Sequence, residues 1–256
     1  MDEMLLKKTL PKIAFRSLIA LAISASNSIF ASNNFRPGEY LQERGWGTLT
    51  VMPGSSKGQP FSIQTLGPNT HTCELEGLIQ GTRANLDVDE GEKKCVIHFQ
   101  PTKDGIDVTI GERTDDLCGQ FCGVRAWFTG MYLTPHKGCI YDARSLARKR
   151  FIDFYKKRNY RAARAELEPI LHSCSKTLHM FEDGEIRNDL AITQYHLKDY
   201  SGCLKTLTPL TAYARMTSEQ IKEEFAPMDA DVMESIARSA RTNIGLCSKK
   251  AKDEKK

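Results

Sequence analysis

Residues 155–169 and 195–209 align without a gap at an offset of 40 residues. Ile152 falls on Ile192, Tyr155 on Tyr195, Tyr160 on Tyr200, Leu167 on Leu207 and Pro169 on Pro209. Asn159 falls on Asp199, which has the same turn chemistry. A repeat of this length predicts stacked units, each too small to bury its apolar face alone. Each copy reads as a helix, a short turn at Arg158-Asn159-Tyr160 or Lys198-Asp199-Tyr200, and a second helix. From Asp142 onward apolar residues recur at helical spacing: Leu146, Phe151, Phe154 and Tyr155, then Ala163, Leu167, Ile170 and Leu171. Ile186, Leu190, Ile192 and Leu197 open the second unit. A third helix pair is expected from Thr217 to Phe225 and from Asp229 to Cys247, with Thr217 and Asp229 as N-caps and Pro227 between them.

Upstream the period is two, which marks strands with one buried face. It runs through 48–52, 61–66, 72–76, 84–88, 95–99 and 106–110. Lys103-Asp104-Gly105 joins the last two as a hairpin, because Asp-Gly supplies positive φ at low steric cost. Residues 32–45 read as a polar leader, and 117–139 as an irregular, glycine-rich, cystine-stapled closing segment.

Residues 1–31 have the three parts of a secretory signal: basic Lys7, Lys8, Lys12 and Arg16, an apolar run over 17–23, and small-residue cleavage sites after Ala25 or Ala31. The apolar run is far shorter than the roughly 20 residues a membrane span needs. Removing 1–31 also removes Asp2 and Glu3, so the formal charge falls from +4 to +2. That charge gives no argument for nucleic acid or membrane binding.

The eight cysteines, Cys73, Cys95, Cys118, Cys122, Cys139, Cys174, Cys203 and Cys247, all follow the signal and are expected to be oxidised in a periplasmic or secreted protein. Cys73 and Cys95 lie on inward strand faces, which suits a bridge between neighbouring strands. Cys118 and Cys122, with three residues between them, read as structural disulfide cysteines; redox pairs and zinc hooks favour two. Five cysteines lie in the β-rich part and three in the helical part, so complete pairing requires a coupling bridge. Cys139–Cys174 is the expected one, because a helical hairpin brings its two ends together.

The helical part, over about 143–213, resembles tetratricopeptide-type repeats in its aromatic first helix, Asn159-Tyr160 or Asp199-Tyr200 turn, small Ala163 or Cys203, and proline. It departs from them in its period of 40 rather than 34 and in a proline inside the second helix. The β-rich part resembles small bacterial envelope domains associated with lysozyme inhibitors. The resemblance rests on the segments His71-Thr-Cys-Glu-Leu-Glu-Gly77, Cys95-Val-Ile-His-Phe99 and Cys118-Gly-Gln-Phe-Cys-Gly-Val-Arg-Ala126. It implies inhibition of a cell-wall lytic enzyme and assigns no residue to that task.

No sequence signature of an enzyme is present, no cofactor is implied, and no metal set is assembled: His71 shares a face with Cys73, and His98 faces away from Cys95. Gly54-Ser55-Ser56-Lys57-Gly58 lacks the remaining elements of a phosphate loop and reads as an exposed hairpin able to plug a partner's cleft. Arg148, Arg187, Asn188 and Arg241 are expected to gather on one face of the repeats, where guanidinium groups would capture an acidic peptide.

The sequence therefore predicts an α+β protein. A disulfide-stapled antiparallel β domain spans 32–139, a tetratricopeptide-like helical-repeat domain spans 140–247, and a charged disordered tail spans 248–256. The expected function is non-catalytic binding of an envelope protein or peptide, possible modes being inhibition of a lytic enzyme or scaffolding of an envelope complex. No nucleic acid partner and no membrane span are expected.

Overall fold

The computed structural model describes residues 35–88 and 93–254; the signal segment 1–31 lies outside them. The chain is α+β, with an antiparallel sheet followed by helices. The strands are β1 (Gly38–Gln42), β2 (Gly47–Val51), β3 (Gln59–Leu66), β4 (Thr72–Ile79), β5 (Arg83–Asp87), β6 (Lys94–Pro101), β7 (Gly105–Ile110) and β8 (Gly130–Leu133). Their order is β4-β3-β2-β1-β8-β7-β6-β5. Every neighbour is consecutive in sequence except that β8 returns to β1, with Leu41 opposite Leu133. The sheet is thus a near-barrel meander whose seam lies between β4 and β5, although the Gln80–Arg83 bridge joins those two at their turn.

Alternation fills the inside. Leu49, Phe61, Ile63, Leu75, Ile97, Phe99, Val108 and Tyr132 are buried in one core, with the Phe61 and Phe99 rings 4.9 Å apart. Each such side chain contributes about 1.5–3 kcal/mol by burial. Two strands were not expected. β1 falls in the supposed polar leader, and its alternation fails because both faces are covered: Tyr40 joins the barrel core, while Leu41 packs into the helical core with Phe151 and Leu167. β8 falls in the supposed irregular segment.

Two cystines brace the seam. Cys122 bonds Cys73 of β4, and Cys118 bonds Cys95 of β6. Cys118 ends the short helix α1 (Asp115–Cys118), so the segment from α1 to Cys122 crosses the gap. Farther along the seam, Leu86 reaches across to Gly77, where a Cβ would meet its Cδ2 at 2.5 Å. A Cys73–Cys95 bridge is therefore incorrect. β4 and β6 are not neighbours, and the cross-brace supplies both partners.

The helices are α2 (Tyr141–Lys156), α3 (Tyr160–Ser173), α4 (Met180–His196), α5 (Tyr200–Leu207), α6 (Thr211–Arg215), α7 (Ser218–Glu224) and α8 (Pro227–Asp253). α2–α3 and α4–α5 form two hairpins with the same 40-residue offset and the same turn. Asn159 and Asp199 cap α3 and α5 through their side chains, at φ/ψ of −84/70 and −86/68. The preceding Arg158 and Lys198 both have positive φ, 56° and 63°. The copies diverge at their prolines: α3 continues through Pro169, whereas α5 stops before Pro209 and tightens into a 3-10 turn.

Thr217 caps α7 with a full capping box. Asp229 is not a cap, because α8 begins two residues earlier on Pro227. α8 also continues to Asp253, so the described part of the expected disordered tail is helical. Cys139–Cys174 joins the entry of α2 to the end of α3, and Cys203–Cys247 joins α5 to α8.

In a meander, loops after odd-numbered strands share one end of the sheet. The helical part meets two of them. The Arg44 N–H donates to the Lys176 carbonyl at 2.7 Å. Gly45, at φ 72°, lies so close to the His179 backbone that no side chain fits. Asn69 meets the start of α8: its N–H donates to Asp229 Oδ2 at 2.9 Å, and its Oδ1 accepts from Met228 N at 3.3 Å.

Candidate functional site

The loops after even-numbered strands lie at the other end. Among them is the 54–58 hairpin. Ser55 and Gly58 exchange backbone hydrogen bonds of 2.9 and 3.2 Å, and Ser55 Oγ accepts from Lys57 N at 3.2 Å. Gly58 holds φ 134°, and a Cβ there would come within 2.9 Å of the Ile79 carbonyl. Gln80 of the adjoining β4–β5 turn donates to the Lys57 carbonyl at 3.4 Å. Ser55, Ser56 and Lys57 are all exposed, and Lys57 makes no ion pair among the described residues. Exposed Met52 and Leu78 flank the hairpin. The result is a short turn tied to its neighbour, with a cation and two hydroxyls at its tip and apolar surface at its base.

The four residues expected on one face of the repeats are dispersed. Arg148 pairs with Glu185 at 2.8 Å and Asp189 at 3.7 Å, bridging α2 to α4. Partial burial raises Asp189 to about 6, against the opposing effect of Arg148 and with a reinforcing one from Glu185. Arg187 pairs with Asp183 at 2.6 Å and donates to the Thr206 carbonyl at 3.2 Å. Arg241 donates to the carbonyls of Ala214 and Met216, both at 2.9 Å, and so fastens α8 to the end of α6. Asn188 is 7% exposed. Its Nδ2 donates to the carbonyls of Gly184 and Ile236 at 3.1 Å, and it accepts from Asn243 at 3.2 Å. Asn188 lies at the repeat position of Arg148, but α8 packs over α4 there and buries it. Expecting one arginine-rich face is therefore incorrect: each guanidinium has internal partners, and Asn188 is interior.

Of the four, Arg187 lines a groove. The groove lies between α3, α4 and α5, with a volume of about 800 Å³ and walls that include Arg164, Glu168, Leu190, Gln194 and Lys205. Arg164 is held by Glu168 at 2.6 Å and Asp199 at 3.2 Å. Lys205 is exposed and makes no ion pair among the described residues. The groove thus offers apolar walls, compensated charges and one free ammonium group.

Sequence reasoning missed the junction of sheet and helices. His179 caps α4, its Nδ1 accepting from Phe181 N at 3.3 Å. That assignment puts the ring proton on Nε2, which is buried. Trp46 meets the His179 ring edge-on at 4.6 Å, and Trp127 lies 5.1 Å from Trp46. Burial holds His179 below the usual imidazole range, with Asp229 and Glu182 opposing. The available signals were two tryptophans in loops and Pro68-Asn69, a turn dipeptide whose Asn69 has φ 58°.

No family model, curated protein or solved structure matches the chain. Four disulfides join all eight cysteines, and among the described residues no helix is long and apolar enough to cross a membrane.

Proposed function

We propose that this chain is a non-catalytic extracytoplasmic binding protein that inhibits a cell-wall lytic enzyme by inserting the 54–58 hairpin into its cleft. One observation carries the reading. The hairpin is fully exposed at its tip, yet tied by Ser55–Gly58 and Gln80–Lys57 hydrogen bonds, at the barrel end opposite the Arg44 and Asn69 loops. A plug of this kind binds with little ordering cost, because its conformation is set before contact. Lys57 supplies a cation for the carboxylates that glycan-cleaving clefts use. The cystine-braced near-barrel supports the resemblance to lysozyme-inhibitor domains, and the two equivalent hairpins support the tetratricopeptide-like one. The test is a titration of murein hydrolase activity with the purified, oxidised protein. Saturable inhibition is expected, and its absence at micromolar protein overturns the reading.

A second reading is a scaffold that holds a partner peptide in the α3–α4–α5 groove. The free Lys205 ammonium beside Arg187 favours an acidic segment. Lys205→Ala would then weaken partner capture and leave lytic inhibition unchanged.

A further inference from the structure

α4 and α8 both begin at the barrel, through His179 beside Trp46 and Asp229 on Asn69. Their other ends therefore form the opposite pole, about 25 Å away for a helix of α4's length. The C-terminus of α2 lies there as well. Tyr160, just past the α2–α3 turn, stacks on His196 at the end of α4, with centroids 4.4 Å apart and planes 9° apart. Cys203–Cys247 holds the start of α5 against the end of α8. Three helix ends and two turns thus lie side by side.

This pole is basic. Lys156, Lys157 and Arg158 close α2, Lys198 closes α4, and Lys249 and Lys252 lie on the last turns of α8. All six are exposed, and none makes an ion pair among the described residues. Four acids share the pole, Asp153 on α2, Asp199 beside Lys198, and Asp253 and Glu254 at the end of α8, but Asp199 is taken by Arg164 and Asp253 by Lys250, so the six unpaired cations remain in excess. One or two cations per helix end would offset the helix dipoles. Two of these cations go further. Arg158 and Lys198 occupy the left-handed conformation that glycine usually supplies at a helix C-terminus. Both copies of the repeat thus keep a cation where a side chain is strained, which points from backbone to function.

We infer that this pole is a contact surface for an anionic lipid bilayer. Its cations are spread over three helix ends and do not converge on a pocket, so they match a sheet of headgroups better than a compact anion. Exposed Leu246 sits one turn before Lys249 and Lys250, at the spacing that places an apolar group beside them. Juxtaposed basic residues gain from an anionic leaflet and lose that gain when salt screens it.

The test is co-sedimentation of the purified protein with vesicles of phosphatidylcholine alone, or of phosphatidylcholine with phosphatidylglycerol. Binding to the anionic vesicles only, and its loss in about 0.5 M salt, is expected. The double variant Arg158→Gly, Lys198→Gly relieves the left-handed strain and is expected to melt no lower than the parent, while partitioning falls about fivefold for each cation removed. Equal binding to both vesicles, no binding, or an unchanged double variant overturns the inference. Binding to heparin without binding to vesicles also overturns it, in favour of a soluble polyanion.

Discussion

The Asp229 carboxylate accepts the backbone N–H of Asn69 at 2.9 Å, across 160 residues of chain. Asn69 returns the contact by accepting from Met228 N. This reciprocal pair fixes the start of the longest helix on a barrel loop. Asp229→Ala leaves the Asn69 N–H without its charged acceptor and is expected to destabilise the protein by about 1–2 kcal/mol in urea unfolding. Asp229→Asn, which keeps an acceptor, is expected to cost less. Equal stability of all three proteins would remove the clasp from the account.

His179 makes the same junction sensitive to acid. Burial lowers its folded-state pKa below 6.5, so the unfolded chain takes up a proton first as pH falls. Stability is therefore expected to decline from about pH 6.5 down through the lower folded value. Protonation at Nδ1 would also cost α4 its cap acceptor. His179→Asn keeps a capping side chain, and its stability should be flat across that window. Tryptophan fluorescence, reporting on Trp46 and Trp127, follows the transition; identical pH profiles for parent and variant would contradict this.

Asp189 acts in the opposite sense. Its folded pKa is raised from 3.8 to about 6, so the folded protein holds a proton that the unfolded chain has released. Its contribution to stability is therefore present below 3.8 and lost as pH rises to about 6. Because the side chain is more than a third exposed, solvent reduces the effect. Asp189→Asn is expected to match the parent near pH 4 and to melt higher at pH 7. A lower melting temperature at pH 7 would show that the Arg148 pair outweighs burial.

The cystine cross-brace predicts a specific peptide map. Non-reducing digestion should yield Cys73 linked to Cys122 and Cys95 linked to Cys118, with almost no free thiol in denatured, unreduced protein. Replacing Cys95 and Cys118 by alanine opens the seam and is expected to cost roughly 2–5 kcal/mol. Four or more free thiols, or a Cys118–Cys122 link, would refute this arrangement.

Six strands and both hairpins were legible because each buries a single face, so period two or the helical period survives in the sequence. β1 was not, since Tyr40 and Leu41 face two different cores. Cys139–Cys174 followed from hairpin geometry, whereas the barrel pairings depended on where the seam falls, and that is a property of strand order. The arginines misled for a related reason. Glu185 and the carbonyls of Ala214 and Met216, which occupy Arg148 and Arg241, come from positions fixed only by packing, whereas Asp183 sits one turn before Arg187 on the same helix and its pairing was open to the sequence. The turns at 158–160 and 198–200 were legible from Asn159 and Asp199, but the left-handed conformation of Arg158 and Lys198 was not, because neither residue is glycine.

The most direct test of the binding account is inhibition of one purified murein hydrolase by three proteins: the parent, Lys57→Glu in the hairpin, and Lys205→Ala in the groove. Reversing the charge at an exposed tip should leave the fold intact, since exposed charges contribute little to stability. The account predicts that Lys57→Glu loses at least tenfold in inhibitory potency, about 1.4 kcal/mol, while Lys205→Ala matches the parent. Unchanged inhibition by Lys57→Glu, or no inhibition by the parent, would contradict it.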